Sequence, residues 1–479
     1  MSIDQTINEA FSAFSSPLVS TIFHSVPIGG GQEIKLILVW LVLASLFFTI
    51  YLGFVNFRYF KHALKLVFAK DDDQEDGQIN RFQALTTSLS GTVGLGNIAG
   101  VAVAISVGGP GATLWMIIMG LLGMSTKLAE VTMGVKHRRH PDPENKDRIA
   151  GGPMYYLEDA FAARGLPLVG KIMGIFFAIC MVFGTIGAAS LFQTNQVFKQ
   201  VVNITGGADA SFMADKGWLF GLFMVVLVAL VIIGGIKSIA SVTSKIVPIM
   251  GGIYLVAGLV TIGMFLPELP AAIVTIFKSA LTLEAGFGGM IGALLLGVQR
   301  AAFSNEAGFG TAAVAHAAVK TDQPITQGLV GMLGPFIDTV LICTITALVI
   351  VVTGAYEAGS GMEGIQLTSR AFEAGFSWFS YVLFAVVFLF AYSTLISWSY
   401  YGVKAFGYLF GTGRVPEGIF KIIFLAFIVV GGSANLASVI DFTDAAVFAM
   451  TIPNIIGLYL LAPSLKRDLK AYTASLKSK

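Results

Sequence analysis

Long apolar stretches recur along the whole chain, and they limit its possible folds more than any other feature of the sequence. A helix needs about 20 mostly apolar residues to cross a bilayer. Segments of this kind predict eleven membrane spans, at residues 36–57, 84–106, 112–134, 170–200, 217–236, 243–266, 288–317, 328–353, 377–408, 417–433 and 439–463. Charged residues make up 12% of the chain, against about 25% in a soluble domain, which leaves too little polar surface for a water-soluble globule. We therefore predict an all-α polytopic membrane protein.

The basic residues predict how these spans are oriented. If the N-terminus lies outside, 24 of the 30 Lys and Arg residues fall in or beside the internal loops, and five fall on the external side. The positive-inside rule then favours an external N-terminus and a cytoplasmic C-terminus, which an odd number of spans allows. The expected location is the cell (inner) membrane.

Two short segments indicate an internal repeat. Residues 90–97 read SGTVGLGN and residues 304–311 read SNEAGFGT, so Ser and both Gly of Gly-x-Gly match at an offset of 214 residues. If the first span is an extra helix, the other ten form two sets of five, and an odd number of spans per set inverts the second set. The predicted organisation is a lead-in at 1–35, an extra helix and cytoplasmic loop at 36–83, a first inverted repeat at 84–266, a second inverted repeat at 288–463 and a cytoplasmic tail at 464–479.

Glycine in these two segments indicates helices that are broken inside the membrane. Hydrocarbon offers no hydrogen bonds to unwound backbone, so a break is tolerated where it lines a protein cavity. The freed N–H groups attract a carboxylate, and freed carbonyl groups can hold a hard cation such as Na⁺. The alternative is ordinary close packing of small residues between helices, which a chain with 55 Gly also predicts. The matched pair of segments favours a transporter with a site between its two breaks.

Charged residues inside predicted spans are costly and usually face a cavity or the interior of the bundle. Arg300 and Glu306 fall near the second Gly-x-Gly segment. Asp338 is interpreted either as a hydrogen-bond anchor for a broken helix or as a direct ligand, with neither preferred. For Glu130, a local ion pair with Lys127 three residues earlier is the preferred explanation.

Uncharged polar side chains add candidates in two other spans. Gln193 and Asn195 can both donate and accept hydrogen bonds, which suits a zwitterion, although contact between helices is the preferred role for Asn195. Ser393 and Thr394 offer hydroxyl oxygens of the kind that bind Na⁺. Trp398, one turn further on, is either the wall of a pocket for a small side chain or an aromatic anchor at the membrane interface.

Several motifs together resemble one known family. They are SGTVGLGNIAGV at 90–101, GGPGA at 108–112, GGPMYYL at 151–157 and FSNEAGFG at 303–310. These look like the alanine or glycine:cation symporter family, whose members are prokaryotic Na⁺:alanine symporters, and the resemblance runs from about residue 80 to the C-terminus. It implies a fold of the leucine-transporter type, with about 11 transmembrane helices in a 5+5 inverted repeat plus one extra N-terminal helix.

The resemblance also implies roles for individual residues. Substrate contacts are expected at Thr92, Gly94, Leu95, Gly96, Gln193, Phe303, Asn305 and Trp398. Sodium ligands are expected at Ser90, Val93, Asn97, Ser393 and Thr394, with Thr92 and Asn97 at a second ion site. For Glu306 and Asp338, the position of a charge inside a predicted span, and not the resemblance, leads us to expect a structural or coupling role. Many relatives carry Thr where Leu95 stands, so at this position the resemblance implies a role for the backbone alone.

The expected function is sodium-coupled secondary symport of a small neutral amino acid, alanine or glycine, into the cell by alternating access. Sodium is the coupling ion and no organic cofactor is expected; the partners are the amino acid, sodium and membrane lipid, with no nucleic acid. The nearest alternative is proton coupling through Glu306 or Asp338 in the same fold. An ion channel and a membrane-embedded enzyme are less favoured, the enzyme because no motif such as HExxH or Gly-x-Ser-x-Gly is present.

Overall fold

The chain is mostly helical. The computed structural model describes residues 15–29, 32–69, 76–141, 148–281, 286–358, 364–375, 378–433 and 437–477. A helical segment at residues 15–22 precedes two strands, β1 at Ser25–Gly29 and β2 at Gln32–Lys35. The main helices are α1 Leu36–Tyr51, α2 Arg81–Thr92, α3 Ala99–Gly108, α4 Ala112–Lys136, α5 Pro153–Ala162, α6 Pro167–Ile204, α7 Gly217–Ile232, α8 Gly235–Met264, α9 Leu269–Leu281, α10 Gly286–Asn305, α11 Thr311–His316, α12 Pro324–Val352, α13 Ile365–Glu373, α14 Phe379–Phe410, α15 Arg414–Ser433, α16 Ala437–Ala449 and α17 Thr451–Lys477. Short helical turns lie at Val55–Arg58, Phe60–Val67, Leu95–Asn97, Gly207–Ala210, Leu266–Glu268 and Ala355–Ala358.

The prediction of an all-α chain is wrong at one place. β1 and β2 form an antiparallel hairpin in which Ser25 lies opposite Lys35. Leu36 donates its N–H to the carbonyl of His24 at 3.0 Å, so the hairpin leads directly into α1. The sequence VPIGGGQEIK, with three Gly between short runs that contain β-branched residues, is a hairpin signal that a search for apolar spans does not detect.

Seven helices of the described chain are long and apolar enough to cross a membrane, and α2 with α3 adds an eighth span if the bent pair counts as one. The seven are α4, α6, α8, α12, α14, α15 and the stretch of α16 and α17 from Asp441 to Leu476, which counts as one span. The other three predicted spans correspond to α1 and α7, with 16 residues each, and to α10 with α11, which residues 306–310 separate. The chain is therefore a multi-pass membrane protein, and the count of eleven spans stays a prediction.

The long helix α4 packs against α3, α10, α11 and α12. Glycine allows two of these contacts. A Cβ at Gly134 would lie 2.6 Å from the carbonyl oxygen of Ala313 in α11, and a Cβ at Gly328 in α12 would lie 1.9 Å from Thr132 Oγ1. Small residues let membrane helices approach closely in this way. As a result, α4 fixes α11 and α12 relative to each other. We call α2 with α3 the first broken helix, and α10 with α11 the second broken helix.

Two of the long helices contain widened, π-helical turns. In α6 the turn covers Thr185–Leu191, and in α12 it covers Phe336–Cys343. A π-helical turn changes which side chains face the interior, and such turns are frequent at functional sites. Gln193 follows the first turn and Asp338 lies in the second, so both polar side chains come from locally irregular helix.

The C-terminal helix α17 continues to Lys477, past the boundary predicted between the last span and a tail at residue 463. Leu465 and Leu469 are buried, while Arg467 and Lys470 are exposed. Residues 464–477, within the segment predicted to be a tail, therefore continue α17 as an amphipathic helix.

Candidate substrate and ion site

The first break, residues 93–98, is unwound backbone between α2 and α3. α2 ends at Thr92, Gly94 is extended, and one 3₁₀ turn at Leu95–Asn97 leads into α3 across a bend of 62°. The Asn97 side chain closes the stretch, because its Oδ1 accepts a hydrogen bond from Gly94 N at 2.9 Å. Unwinding frees backbone N–H and C=O groups from the helical ladder, which is what a membrane-embedded ligand site requires.

The two broken helices meet at Asp338 of α12. Asn97 Nδ2 donates hydrogen bonds to Asp338 Oδ1 at 2.9 Å and to Ser304 Oγ at 3.1 Å. Ser304, at the end of α10, donates to the same carboxylate oxygen. Thr346 Oγ1 donates to the carbonyl of Asn97 at 2.9 Å. The other oxygen, Asp338 Oδ2, is buried and has no hydrogen-bond partner among the described residues. Asp338 thus anchors both breaks and has one carboxyl oxygen without a hydrogen-bond partner among the described residues.

The second break, residues 306–310, is held by Glu130 of α4. Gly308 and Gly310 have φ of 98° and 83°, which a right-handed helix cannot continue through. Glu130 Oε1 accepts hydrogen bonds from the N–H of Gly308 at 2.8 Å and of Gly310 at 3.0 Å. Asn454 Nδ2 donates to Glu130 Oε1 and to the carbonyl of Gly308, both at 2.8 Å. Buried backbone groups of the break therefore find their partners on α4 and α17.

The predicted ion pair between Lys127 and Glu130 is present at 3.7 Å, but it is an incomplete explanation of these residues. Lys127 is 2% exposed, and its Nζ donates to the carbonyl of Glu306 at 3.0 Å. It therefore lies in the core of the described structure, inside α4 and away from any loop. Glu306 itself has φ of 52°, and its carboxylate accepts a hydrogen bond from Thr311 at 2.6 Å. Lys127 and Glu130 together brace the unwound backbone.

A cavity of about 560 Å³ lies beside the two breaks. The predicted substrate residues that line it are Thr92, Gly94, Leu95, Gly96, Gln193, Phe303 and Trp398. Thr394 and Glu306 line it as well. Asn305 is not among the lining residues, because its Nδ2 donates to Thr339 Oγ1 at 3.1 Å and its Oδ1 accepts from Ala307 N at 2.9 Å. The structure places Asn305 in support of the second break.

The predicted sodium residues fall into two groups. Ser90 Oγ donates to the carbonyl of Ser393 at 2.6 Å, and Thr394 Oγ1 donates to the carbonyl of Ser90 at 3.1 Å. Val93 directly follows α2, and its extended backbone places its carbonyl outside the regular helix. Ser90, Ser393 and Thr394 form an oxygen-rich contact between α2 and α14. Asn97 lies apart from them, at Asp338.

Trp398 forms part of the cavity wall and is 3% exposed. Its Nε1 donates a hydrogen bond to the carbonyl of Gly91 at 3.1 Å. The alternative role as an anchor at the membrane interface is therefore wrong. Phe303, a second aromatic residue on the wall, packs edge-on against Phe448 with 4.8 Å between ring centroids.

A row of amide side chains lines the cavity along α6, and the sequence analysis identified only its first member, Gln193. Gln193, Gln196, Gln200 and Asn203 all line the cavity. Gln200 is 1% exposed, and neither polar atom of its side chain has a partner among the described residues. The spacing of three, four and three residues is helical and is the signal that identifies this row in the sequence.

Two opposite charges also line the cavity. Arg300 was expected near the second break, whereas Asp444 was not a candidate, and the two charges interact. Asn195 contacts another helix instead: its Nδ2 donates to the carbonyl of Gly431 at 3.3 Å, which confirms the role preferred for it.

Comparison with known proteins decides the family. The sequence pattern of the sodium:alanine symporter family matches residues 26–479. The chain belongs to this family. The sodium/alanine symporter AgcS of Methanococcus maripaludis is 41% identical over 445 residues, which cover 92% of this chain and 95% of that protein. A probable sodium/glutamine symporter of Bacillus subtilis, GlnT, is 32% identical over 446 residues, which cover 93% of this chain and 89% of that protein. This family member is a transporter and not an enzyme, as the sequence predicted.

A solved structure shows that the family member has the expected type of fold. MhsT in complex with L-phenylalanine matches with a TM-score of 0.53 at 16% identity, over 81% of this chain and 89% of that chain. Identity at this level shows a shared fold alone. The fold is of the leucine-transporter type, which the family resemblance implied.

Proposed function

We propose that this family member is a secondary transporter that carries a small neutral amino acid, alanine or glycine, into the cell together with Na⁺. The observation that carries the proposal is the pair of broken helices beside one cavity, with both breaks joined at Asp338. A relative that is 41% identical over nearly its whole length has the name sodium/alanine symporter, which supports this pairing of ion and substrate.

The substrate carboxylate is placed at the unwound backbone of Gly94, Leu95 and Gly96, since N–H groups at the start of a helix attract anions. Gln193 borders the same cavity, and its Oε1 has no partner among the described residues, so it can accept a hydrogen bond from the substrate ammonium group. The rings of Phe303 and Trp398 limit the room for a side chain, which favours a methyl group or hydrogen.

The first Na⁺ is placed between α2 and α14. The carbonyls of Ser90 and Val93 and the hydroxyls of Ser393 and Thr394 supply the oxygen ligands that a hard cation prefers. An ion at this place holds α2 against α14 while substrate occupies the adjoining first break. Na⁺ and substrate therefore stabilise the same conformation, which is the basis of their coupling.

The second Na⁺ is placed at Asp338 Oδ2. Thr92 interacts with this carboxylate, and Asn97 holds it in position. A carboxylate is an effective ligand here because its charge offsets that of the ion in a site without bulk water. Each Na⁺ that enters supplies energy for accumulation: one charge moved through 100 mV yields about 2.3 kcal/mol, enough for roughly a fortyfold gradient.

We place the chain in the cell (inner) membrane with eleven spans, an external N-terminus and a cytoplasmic C-terminus. The first inverted repeat is 84–266 and the second is 288–463, after the extra helix and loop at 36–83. The distribution of basic residues supports the orientation, and the fold shared with MhsT supports the arrangement. The cavity extends to Asn203 and Gly364, on the predicted external side, so this conformation faces outward.

Uptake of labelled alanine and glycine into proteoliposomes tests the proposal. We expect accumulation that requires an inward Na⁺ gradient and persists when the pH is equal on both sides. Accumulation driven by a pH gradient without Na⁺ would contradict the proposal and favour proton coupling through Glu306 or Asp338. A current without substrate in a planar bilayer would favour a channel.

A further inference from the structure

A second pocket of about 270 Å³ shares no lining residue with the central cavity. It lies where the turn from α7 to α8 meets the end of α14 and the start of α15. Its charged lining residues are Arg148, Lys237, Lys404, Lys421 and Glu417. All four basic residues belong to the face that the positive-inside rule predicts to be cytoplasmic. The proposed transport site uses none of them.

The charges of this basic pocket act on one another. Lys404 interacts electrostatically with Glu417, Arg148 and Lys421. Its Nζ also donates a hydrogen bond of 2.8 Å to the carbonyl of Ile149, which fixes the ammonium group at the pocket. Among the described residues that line the pocket, one carboxylate therefore accompanies four basic side chains. Because like charges held together in a partly desolvated pocket repel, an anionic ligand stabilises this arrangement.

Apolar side chains within two residues of the pocket lining in sequence are exposed. Leu230 and Ile233, beside the turn from α7 to α8, are 72% and 73% exposed. Val415 and Ile422, on the helix that supplies Lys421, are 72% and 70% exposed. In a membrane-spanning bundle, such a surface lies against lipid acyl chains. A phospholipid uses both features, the charges for its phosphate and the apolar surface for its chains, whereas a soluble phosphate uses the charges alone.

We propose that the basic pocket binds the headgroup of an anionic phospholipid from the leaflet on the predicted cytoplasmic side. Basic pockets between helices at this face are a recognised binding mode for such headgroups. The lining residues Ser399, Tyr400 and Lys404 belong to α14, the helix that also carries Thr394 and Trp398 to the central cavity. A bound headgroup therefore holds α14 to α8 and α15, and it links lipid composition to a helix of the transport site.

Native mass spectrometry of the full chain, released from mixed phosphatidylcholine and phosphatidylglycerol vesicles, counts the lipids that stay bound. We expect the wild type to retain one phosphatidylglycerol in preference to phosphatidylcholine. Lys237→Gln combined with Lys421→Gln should reduce this preference about fivefold for each charge removed. Lys470→Gln removes an exposed basic residue of α17 outside the pocket and should retain lipid as the wild type does.

Glu417→Gln should change the retention of phosphatidylglycerol in the direction opposite to that of the double Lys variant. It removes the competing carboxylate, so retention of phosphatidylglycerol should increase, which a misfolded variant cannot imitate. Equal retention by the wild type and the double Lys variant, or a decrease for Glu417→Gln, would overturn the proposal. Displacement of the lipid by millimolar inorganic phosphate would assign the pocket to soluble anions instead. The lipid count requires no transport, so its outcome is independent of whether Na⁺-driven uptake is found.

Discussion

The side-chain amide of Asn97 donates a hydrogen bond of 2.9 Å to the carboxylate of Asp338, and this contact joins the first break to α12. Ser304 donates to the same oxygen, so one carboxylate orients both broken helices. Alternating access requires the two breaks to keep their relation to the ligands while the surrounding helices move. Asp338 therefore has two separable contributions, as a hydrogen-bond acceptor that positions the breaks and as a charge that attracts Na⁺.

Substitutions of Asp338 separate these contributions. Asp338→Asn keeps an oxygen acceptor for Asn97 and Ser304 but removes the charge, so the Na⁺ concentration for half-maximal uptake should rise about tenfold or more with little change in melting temperature. Asp338→Ala also removes the carboxylate oxygen that Asn97, Ser304 and Thr339 share as an acceptor, and it should cost about 1.5–3 kcal/mol of stability. An unchanged Na⁺ dependence in Asp338→Asn would exclude the carboxylate from ion binding.

Glu130 is expected to be essential for the second break. Glu130→Ala removes the acceptor of the Gly308 and Gly310 N–H groups and leaves Lys127 without its buried counter-charge, so we expect a loss of about 3–5 kcal/mol. Glu130→Gln keeps an oxygen acceptor and should lose less. Thermal unfolding of the detergent-solubilised protein measures both, with Glu268→Gln as an exposed control. Equal losses for Gln and Ala would show that the charge, and not the acceptor, holds the break.

The places where the helices break were predictable from the sequence, because Gly and small polar residues inside an apolar stretch weaken the helix at their own positions. The first segment unwinds at Gly94, and the second adopts positive φ at Gly308 and Gly310. The amide row on α6 was predictable in the same way, because its residues recur with the helical period of about 3.6 residues, which applies to polar residues as well as to apolar ones.

What holds the breaks in place was not predictable from one sequence. Glu130 contacts a backbone group 178 residues away, and Asn97 contacts a carboxylate 241 residues away. Spacing along one helix carries no information on such contacts, and for Glu130 it indicates only the neighbour Lys127 as a partner. The π-helical turn at Phe336–Cys343 also changes the inward face of α12, which a regular helical period cannot place.

Gly94→Ala should abolish transport and leave the fold intact. Gly94 has φ of −143°, which other residues adopt without strain, but its Cβ would lie 3.0 Å from Thr394 Oγ1 and 3.8 Å from Gln193 Nε2. The methyl group would occupy the space between the proposed ion and substrate. Gly251→Ala in α8, where a Cβ meets nothing within 4 Å, should keep normal uptake. If Gly94→Ala binds labelled alanine with the affinity of the wild type, the first break is not part of the substrate site.

Trp398 should set the size limit for the substrate. Trp398→Ala removes part of the wall, so the preference for alanine over leucine should fall about tenfold or more, since a methylene in an apolar pocket is worth about 1–3 kcal/mol. Trp398→Phe keeps a ring but loses the hydrogen bond to Gly91, and it should keep the size limit with about 1 kcal/mol weaker binding. Competition of amino acids of increasing size against labelled alanine measures the limit. If Trp398→Ala has the same size preference as the wild type, the wall lies elsewhere.

The face predicted to be cytoplasmic is closed around Arg138, just after α4. Its guanidinium donates to the carbonyls of Val319 at 2.7 Å and Thr321 at 3.0 Å. It also donates to the carbonyl of Asp76 at 2.9 Å and forms an ion pair of 2.9 Å with the Asp76 carboxylate. These contacts join the segment before the first broken helix to the segment after the second. An inward-facing state must separate the two segments.

Arg138→Gln should therefore open this face more often. The reporter is the backbone N–H of Lys320, which donates to the carbonyl of Ile79 at 2.8 Å across the contact. Hydrogen–deuterium exchange at Lys320 should become faster in Arg138→Gln, because local opening exposes this N–H to water. Arg139→Gln is the matched control, since Arg139 is 43% exposed and pairs with Asp159 at 2.5 Å outside the contact. Equal protection of Lys320 in the wild type and in Arg138→Gln would show that the contact closes without the guanidinium.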